Sequence, residues 1–263
     1  MFRFPDDYNR LEAGQYDVGL SEETISKILA GAFANVKREY LYASLPRHAI
    51  QLGGCFVSKR LITASFFQVF VGETGFVTDA EKEGWGWTWD AGWKKRNGLN
   101  WKTPFGSGLD RIYFDKSGIV PVMQTSWNDA RAFCEWMTRK SGRGFRLPSE
   151  AEWETWAAGN PSGIASNESI YAEDAGDYLD RIIKICRESS DECPRGVMWE
   201  WTQDWYDSYP GGMANRDFGT TYKVLRGGSL MSDEIQKLGE YRFRRCPTAR
   251  SPFYGFRICA DAL

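Results

Sequence analysis

The sequence contains one histidine, His48, and no Cys-x-x-Cys pair. Zinc sites draw most of their ligands from histidine and cysteine residues at short spacings. We therefore expect no zinc site of that kind. Because His48 has no second histidine to work with and lies at the start of a predicted strand, we expect it to make a fixed structural hydrogen bond rather than to act in catalysis.

The sequence also lacks an excess of charge of one sign. It has 33 Lys and Arg residues against 35 Asp and Glu residues, which gives a formal net charge of -2. Proteins that bind nucleic acid or an anionic membrane surface usually carry a strong positive charge on one face. The charge balance therefore predicts neither kind of partner.

Long hydrophobic runs are missing as well. No apolar stretch approaches the roughly 20 residues that a membrane helix needs, so we expect no membrane insertion. Residues 1–7 are acidic and interrupted by Pro5, which is not typical of a signal peptide. As written, the chain is expected to be cytoplasmic. In that reducing compartment its six cysteines are expected to be buried apolar thiols.

Aromatic residues and glycine are abundant instead, with 15% aromatic residues, 12 Trp and 27 Gly. This composition favours a loop-rich fold in which rings pack against irregular backbone. The most aromatic stretch is residues 84–106, and its tryptophans are Trp85, Trp87, Trp89, Trp93 and Trp101. No regular period fits this stretch, so we expect a long ordered loop pinned by rings. An exposed aromatic platform that stacks a ligand is the alternative.

Residues 1–43 are expected to form an N-terminal extension with one amphipathic helix. Residues 1–20 are predicted to be irregular, and Ser21 then precedes apolar residues spaced for one helix face. These residues are Ile25, Ile28, Leu29, Phe33 and Val36. We expect this helix to dock on the rest of the chain, and a partner-binding helix is the alternative.

Side-chain caps indicate where later helices begin. Asn128 is predicted to cap a helix, and Ser149 and Glu152 are spaced for a capping box in which each side chain satisfies the other's free amide. Residues 160–194 are polar and acidic, and their only pattern is a predicted helix over 178–187.

The stretch Trp199-Glu200-Trp201 has the clearest chemical character. Alternation places the two indoles on one face of an extended segment and Glu200 on the other. Burying an unpaired carboxylate is costly, so Glu200 has to be solvated, paired or bound to a cation. Two interpretations stay open. Either Glu200 faces solvent or an arginine beside an aromatic-rich core, or it contributes to a calcium-like oxygen site.

The C-terminal tail is rich in arginine. Alternation in Tyr241-Arg242-Phe243-Arg244 predicts a strand with its arginines on one side. We expect these guanidinium groups to pair with acidic neighbours, and binding of an anionic ligand is the alternative.

A series of short stretches in a fixed order carries a family resemblance. They are Pro46-Arg47-His48, Phe76-Val77-Thr78-Asp79-Ala80-Glu81, Trp101-Lys102-Thr103-Pro104-Phe105-Gly106, Ser126-Trp127-Asn128-Asp129-Ala130, Arg146-Leu147-Pro148-Ser149-Glu150-Ala151-Glu152-Trp153, Trp199-Glu200-Trp201-Thr202, Leu225-Arg226-Gly227-Gly228-Ser229 and Gly255-Phe256-Arg257. In this order they resemble the sulfatase-modifying-factor family, which includes formylglycine-generating enzyme. The resemblance spans residues 44–263, which we take as one domain. It implies an α+β, C-type-lectin-like fold of the formylglycine-generating-enzyme subtype, loop-rich with short helices and small antiparallel sheets.

The resemblance also implies a copper site that this sequence does not complete. Enzymes of the family hold copper with two cysteines shortly after the Gly-Gly-Ser stretch. Here Ser232 occupies the first position, and Lys237 or Tyr241 occupies the second, depending on the gap. Copper(I) needs soft thiolate donors, which hydroxyls and an ammonium group cannot replace. We therefore expect no copper. One histidine likewise cannot form the histidine cluster of the related iron-dependent sulfoxide synthases.

Two structural features of the family are further expectations. Cys134 and Cys259 resemble a disulfide pair of the family. A structural calcium ion would be held by Glu200 and by the carbonyl oxygens of Gly196 and Met198.

The predicted function is a non-catalytic module that binds a protein or peptide with the former catalytic cleft and the C-terminal surface. An enzyme of other chemistry is the first alternative, with Ser232, Asp233, Glu234 or Lys237 as acid–base groups. Formylglycine generation is the second, and it needs Cys246 to lie in the cleft beside another thiol. The candidate ligand-binding residues are Trp201, Ser229, Ser232, Lys237, Tyr241 and Arg242.

Overall fold

Two four-stranded sheets and two two-stranded ribbons form the framework of the fold. The computed structural model describes residues 4–31, 36–90, 92–106, 108–116, 118–160, 174–189 and 193–262. The strands in these ranges are β1 (Tyr8–Leu11), β2 (Gly14–Val18), β3 (His48–Leu52), β4 (Cys55–Ser58), β5 (Trp85–Trp89), β6 (Trp93–Asn97), β7 (Phe145–Arg146), β8 (Trp199–Trp205), β9 (Lys223–Arg226), β10 (Phe243–Arg245), β11 (Tyr254–Gly255) and β12 (Cys259–Asp261).

Short helices fill the connections between the strands. They are α1 (Glu22–Ala30), a 3-10 helix (Arg38–Ser44), α2 (Ala64–Thr74), α3 (Asp79–Glu83), α4 (Leu109–Asp115), α5 (Trp127–Ser141), α6 (Glu150–Gly159) and α7 (Ala175–Glu188). Within the described ranges, no helix is long and apolar enough to cross a membrane.

The sheets are small and join distant parts of the chain. The first has the order β1-β4-β12-β7 and the second the order β10-β9-β8-β11. Neighbouring strands run antiparallel, except that β11 runs parallel to β8. This combination of small sheets, short helices and long connections confirms the predicted loop-rich α+β class.

The first part of the chain contributes strands, so the prediction of irregular backbone over residues 1–20 is wrong there. Strand β1 pairs with β4, and β2 pairs with β3 from Gly14 to Val18. Each strand is only four or five residues long, and its partner lies dozens of residues away. The division of the chain at residue 43 stays a prediction. In β3, Nδ1 of His48 lies 3.0 Å from the carbonyl oxygen of Pro46, which agrees with the predicted structural hydrogen bond.

Helix α1 docks on the rest of the chain as predicted. The Ser21 side chain caps it by accepting a hydrogen bond from the Thr24 amide at 3.0 Å. Ile25 is fully buried, in a cluster that includes Leu41 and Ile235. Phe33, which the helical pattern also placed on this face, lies outside the described residues.

Capping chemistry sets the start of the later helices, with one correction. Ser149 and Glu152 form the predicted capping box of α6. Helix α5 is capped by Ser126 rather than Asn128, because Ser126 and Asp129 form a capping box of their own. A side chain therefore caps α5 as expected, but the capping residue is two positions earlier than predicted. The helix predicted over 178–187 lies within α7, whereas part of residues 160–194 falls outside the described ranges.

The tryptophan-rich stretch forms a β-ribbon, so the prediction of a long loop over residues 84–106 is wrong there. Strands β5 and β6 pair antiparallel, with Trp85 opposite Asn97 and Trp89 opposite Trp93. The odd-numbered tryptophans share one face because side chains alternate along a strand. The period-two spacing of tryptophan was therefore a strand signal that the surrounding glycines obscured.

A glycine after β9 shows how closely the core is packed. Gly227 has φ +92°, and a Cβ atom built there would lie 2.8 Å from Cζ2 of the buried Trp153. Gly75 also has a positive φ, +64°, but a Cβ there would meet nothing within 4 Å. The two positions separate the cost of a left-handed backbone from the cost of a steric clash.

We expect Gly75→Ala to lower the free energy of unfolding by about 1–2 kcal/mol, the cost of a left-handed backbone. Gly227→Ala is expected to cost about 1–3 kcal/mol more, because the new methyl group overpacks the core. Urea unfolding of the two variants and the parent protein measures both values. Equal losses would contradict the close packing at Gly227.

Candidate functional site

A cavity opens between the β5–β6 ribbon and the segment that precedes and includes β11. Its volume is about 520 Å³. The lining residues are Glu83, Trp85, Trp87, Trp93, Arg245, Cys246, Thr248, Ala249, Arg250, Ser251 and Tyr254. The ribbon supplies the aromatic wall and the C-terminal segment supplies the polar and cationic wall.

Indole rings build the aromatic wall through edge-to-face contacts. The ring centroids of Trp85 and Trp87 lie 5.9 Å apart, and those of Trp87 and Trp93 lie 6.4 Å apart. Trp93 also contacts Phe253, at 5.3 Å between centroids. Trp87 and Trp93 are nevertheless 36% and 47% exposed. Large exposed rings beside a cavity provide apolar contact area for a ligand at a low cost in side-chain ordering.

Arg250 is fixed in the opposite wall. Its guanidinium donates to a Glu83 carboxylate oxygen at 2.9 Å, to the Trp85 carbonyl at 2.9 Å and to the Thr248 carbonyl at 3.1 Å. It also lies 3.9 Å from the centroid of the Trp85 ring. The hydrogen bond from Arg250 lowers the pKa of Glu83. The arginine therefore connects the C-terminal segment to β5 and holds the two walls in place.

Two other cations have fewer constraints, one stacked on the aromatic wall and one in the cavity lining. The ammonium of Lys95 lies 3.8 Å from the centroid of the Trp85 ring. Arg245 is exposed, donates to the Arg244 carbonyl at 2.9 Å and lies 4.1 Å from the Phe243 ring. Both are long side chains that a ligand can attract without breaking a buried ion pair.

Cys246 is the thiol of this cavity. It is exposed, and its sulfur lies 3.7 Å from the Thr248 hydroxyl. The other cysteines are buried and line no part of the cavity as described. The second thiol that formylglycine generation would need is thus not beside Cys246 among the described residues.

Four of the remaining five thiols form two pairs elsewhere, and Cys134 is buried apart from them. Cys259 contacts Cys55, because β12 pairs with β4 so that Cys259 lies opposite Val57, two residues from Cys55. A hydrogen bond from Cys55, together with burial, raises the pKa of Cys259. Both sulfurs lie within 4.8 Å of a carboxylate oxygen of Glu152. The expected Cys134–Cys259 disulfide is not formed, because strand pairing gives Cys259 a different neighbour and all six cysteines are free.

A second thiol pair joins α7 to the segment that precedes β8. Cys186 and Cys193 are both buried, and their hydrogen bond raises the pKa of Cys186 and lowers that of Cys193. The expectation of buried apolar thiols is therefore confirmed for each cysteine except Cys246.

Comparison with known proteins identifies the family to which this fold belongs. The family model for the sulfatase-modifying factor enzyme 1-like domain matches residues 9–181 and 195–262. The chain belongs to this family. It is similar to the formylglycine-generating enzyme of Thermomonospora curvata, with 33% identity over 270 residues, which cover 83% of this chain and 86% of that protein.

Two further proteins are similar to this chain, one in sequence and one in structure. The inactive C-alpha-formylglycine-generating enzyme 2 of Mus musculus is 32% identical over 249 residues, covering 76% of this chain and 73% of that protein. PvdO from Pseudomonas aeruginosa has a similar structure, with a TM-score of 0.62 at 16% identity, covering 97% of this chain and 94% of that one. Membership of the family therefore establishes the fold. It does not establish the activity, which depends on the site residues of each member.

The structure places most of the sequence-predicted ligand-binding residues of this family member in the interior. Trp201 is fully buried and donates to the Thr125 carbonyl at 3.2 Å. Ser229 and Ser232 are buried together, with the Ser229 amide donating to the Ser232 hydroxyl at 3.0 Å. These side chains satisfy one another or the backbone and do not line the cavity.

The other predicted ligand-binding residues also lie away from the cavity. Arg242 is buried and donates to both carboxylate oxygens of Glu150, each at 2.8 Å. Lys237 and Tyr241 are half-buried, and the Tyr241 ring lies 6.0 Å from that of Trp199. Acidic partners for the C-terminal arginines were predicted and are confirmed, in the pairs Arg242–Glu150, Arg244–Asp217, Arg250–Glu83 and Arg257–Glu200.

Glu200 illustrates why the calcium expectation does not fit. Arg257 donates to its two carboxylate oxygens at 2.6 and 3.0 Å, and the Trp153 indole donates to it at 2.8 Å. A guanidinium therefore occupies the position at which a cation would bind Glu200. Gly196 and Met198 are buried alongside, but without the carboxylate their carbonyl oxygens do not supply a calcium donor set.

Sequence reasoning named part of the cavity lining but did not bring the parts together. The aromatic-platform alternative pointed to Trp85, Trp87 and Trp93, and the arginine-rich tail included Arg245 and Arg250, whereas Glu83, Thr248 and Tyr254 had no distinguishing pattern. The signal that was present is the alternation of tryptophan along β5, which indicates an aromatic face on one side of a strand.

We expect Arg257→Met to lower the free energy of unfolding by about 3–5 kcal/mol, because it leaves the buried Glu200 carboxylate unpaired. Arg245→Met is the matched control, since it removes an exposed guanidinium and is expected to cost about 0.5 kcal/mol or less. Urea unfolding of both variants is the measurement. A loss at Arg257 no larger than the loss at Arg245 would show that the buried pair is not needed for stability.

Proposed function

We propose that this chain is a non-catalytic binding module, and that it binds a peptide or a segment of a partner protein in the cavity between the β5–β6 ribbon and residues 245–254. The observation that carries the proposal is the pair of exposed indoles, Trp87 and Trp93, facing a fixed guanidinium, that of Arg250. Tryptophan and arginine are the residues that most often dominate binding energy in protein interfaces.

The size of the cavity supports a ligand of a few side chains. Its volume of about 520 Å³ lies within the roughly 300–1,000 Å³ of typical ligand sites. Its walls combine apolar rings with cations, as amphipathic peptide side chains require. This location also agrees with the expectation that the C-terminal surface takes part in binding.

The atoms available to bind a metal in the cavity argue against the copper oxidase activity of the family. Copper(I) is held by soft thiolates, and the cavity offers Cys246 alone among its described lining residues. Ser232, at the position of a family copper ligand, is a buried hydroxyl bonded to Ser229. The relative from Mus musculus that is named inactive shows that loss of activity occurs on this scaffold.

The acid–base alternative has less support. Asp233 and Glu234 are exposed, and the Asp233 carboxylate accepts a hydrogen bond from the Gln236 amide at 2.8 Å. Burial lowers the pKa of Lys237, but Lys237 does not line the cavity. None of these groups lines the cavity, so they would not act on a substrate bound there. The cytoplasmic location stays a prediction.

Peptide binding tests the first half of the proposal. Pools of ten-residue peptides with a fluorescent label are titrated with the parent protein and with Trp93→Ala. We expect a bound pool to lose about tenfold in affinity or more, the effect of removing one aromatic anchor worth about 1.4 kcal/mol or more.

The matched control is Trp205→Ala. Trp205 is 38% exposed but lies outside the cavity, so its removal should leave peptide affinity within about twofold of the parent, as for a side chain outside the interface. Equal losses in both variants, or no binding by the parent protein, would exclude the cavity as the peptide site.

Oxygen consumption tests the second half. The parent protein and Cys246→Ser are incubated with copper(I), a reductant and a cysteine-containing peptide. We expect both to consume oxygen at the rate of copper without protein, since one thiol cannot replace the thiolate pair. Faster consumption by the parent protein than by Cys246→Ser would show that the cavity is catalytic.

A further inference from the structure

Strand β6 is an open edge beside the cavity. It pairs with β5 on one side only, and the two strands form a ribbon that belongs to neither four-stranded sheet. Each residue from Trp93 to Asn97 is exposed. An edge strand presents unpaired N–H and C=O groups that another extended chain can pair with.

The hydrogen-bond register identifies which backbone groups point outward. The Gly98 amide donates to the Gly84 carbonyl, and the Asp90 amide donates to the Gly92 carbonyl, both at 2.9 Å. In an antiparallel pair, opposed residues alternate between hydrogen-bonded and non-hydrogen-bonded pairs. The residues of β6 that bond to β5 are therefore Lys94 and Arg96.

The N–H and C=O groups of Trp93, Lys95 and Asn97 consequently point away from β5. Within the described part of the chain, no backbone or side-chain group bonds to them. These groups are spaced two residues apart. Backbone hydrogen bonds to a neighbouring strand repeat with the same spacing, in antiparallel and in parallel pairs.

The other edge of the ribbon is already covered. The outward carbonyl of Trp85 accepts hydrogen bonds from Arg250, and that of Trp87 accepts one from the Gln124 side chain at 2.6 Å. These three bonds confirm the register, because they show that Trp85 and Trp87 do not direct their carbonyl groups at β6. A further strand can therefore add at β6 and not at β5.

Side-chain direction connects this edge to the cavity. Trp93 contacts Trp87, and Lys95 lies over the Trp85 ring, so both point to the face that lines the cavity. A chain paired with β6 would continue that face, with every second side chain on the cavity side. Backbone pairing would then supply affinity, and the cavity would supply the choice of side chain.

Charge indicates the chemistry of the partner. The cations at the edge and in the cavity are Lys94, Lys95, Arg96, Arg245 and Arg250. The carboxylates that oppose them are Asp90, which Lys94 and Arg96 contact, and Glu83, which Arg250 contacts. This local excess of positive charge contrasts with the chain as a whole, whose net charge is -2.

Lysines on an edge strand also prevent copies of the same strand from pairing, because like charges repel. An acidic chain is not repelled and is attracted instead. The basic edge therefore favours an acidic partner over a second copy of this chain.

We propose that an extended peptide segment with carboxylate side chains binds this protein as a third strand on β6, with alternate side chains entering the cavity. The inference rests on the proposed peptide-binding function and specifies its geometry and its charge. It assigns the outward backbone groups of Trp93, Lys95 and Asn97 as the main-chain contacts.

The first test uses the parent protein and pools of ten-residue peptides with Glu or Lys fixed at alternate positions. We expect the Glu pool to bind more tightly than the Lys pool, with the difference reduced by added salt. The best Glu peptide is then resynthesised with single N-methyl groups, each of which removes one amide donor. Strand addition predicts losses of about tenfold at every second position and small effects between them.

The second test acts on the protein. Lys95→Pro removes an outward N–H that the ribbon does not use, and proline is tolerated at such edge positions. Lys95→Ala is the matched control, because it removes the same charge but keeps the N–H. We expect Lys95→Pro to bind the Glu peptide about tenfold more weakly than Lys95→Ala. Where near-UV circular dichroism shows that Lys95→Pro has lost its tertiary structure, the N-methyl series alone decides.

The outcomes separate this inference from the proposed function. A peptide that loses affinity in Trp93→Ala but shows no two-residue period in the N-methyl series overturns strand addition and leaves the cavity as the site. Tighter binding of the Lys pool overturns the acidic partner. The absence of peptide binding, or binding unaffected by Trp93→Ala, overturns both proposals.

Discussion

The buried ion pair between Arg257 and Glu200 connects the two sheets. Glu200 lies on β8 of the second sheet, and Arg257 also donates to the carbonyl groups of Ser58 and Lys59 at the end of β4 in the first sheet, at 3.0 Å each. A guanidinium has several donors in a fixed geometry, so one side chain can satisfy a carboxylate and two carbonyl groups at once. Arg257 and Glu200 are both buried, so neither would tolerate the loss of its partner.

This connection sets the position of the C-terminal segment and therefore of the cavity. Arg257 follows β11, which runs parallel to β8, so the chain just before it is fixed against the second sheet. Arg250 then connects the same segment to Glu83 and to the backbone of β5. The two arginines act at opposite ends of one segment. Arg257 joins it to the core and Arg250 joins it to the ribbon, and the cavity lies between the ribbon and this segment.

This chain thus retains the family scaffold. The activity of a family member depends on a few metal-binding atoms in its site. Relatives of similar identity include a formylglycine-generating enzyme and a protein named as inactive. In this chain four thiols are buried in two pairs, Cys134 is buried apart from them, and Cys246 lies alone beside a cavity with aromatic and cationic walls. Rings and guanidinium groups provide contact area and charge for a ligand, and they supply no redox-active donor set.

The sequence by itself determined the fold family, the α6 capping box and the need of the arginines for acidic partners, because these depend on ordered motifs, local spacing and charge. It left open whether Glu200 binds calcium or an arginine. In the tertiary structure Glu200 pairs with Arg257, which is 57 residues away in the sequence. Pairing of β12 with β4 likewise placed Cys259 beside Cys55 rather than Cys134. The cavity joins residues 83–93 to residues 245–254, and no local pattern specifies a contact between segments so far apart.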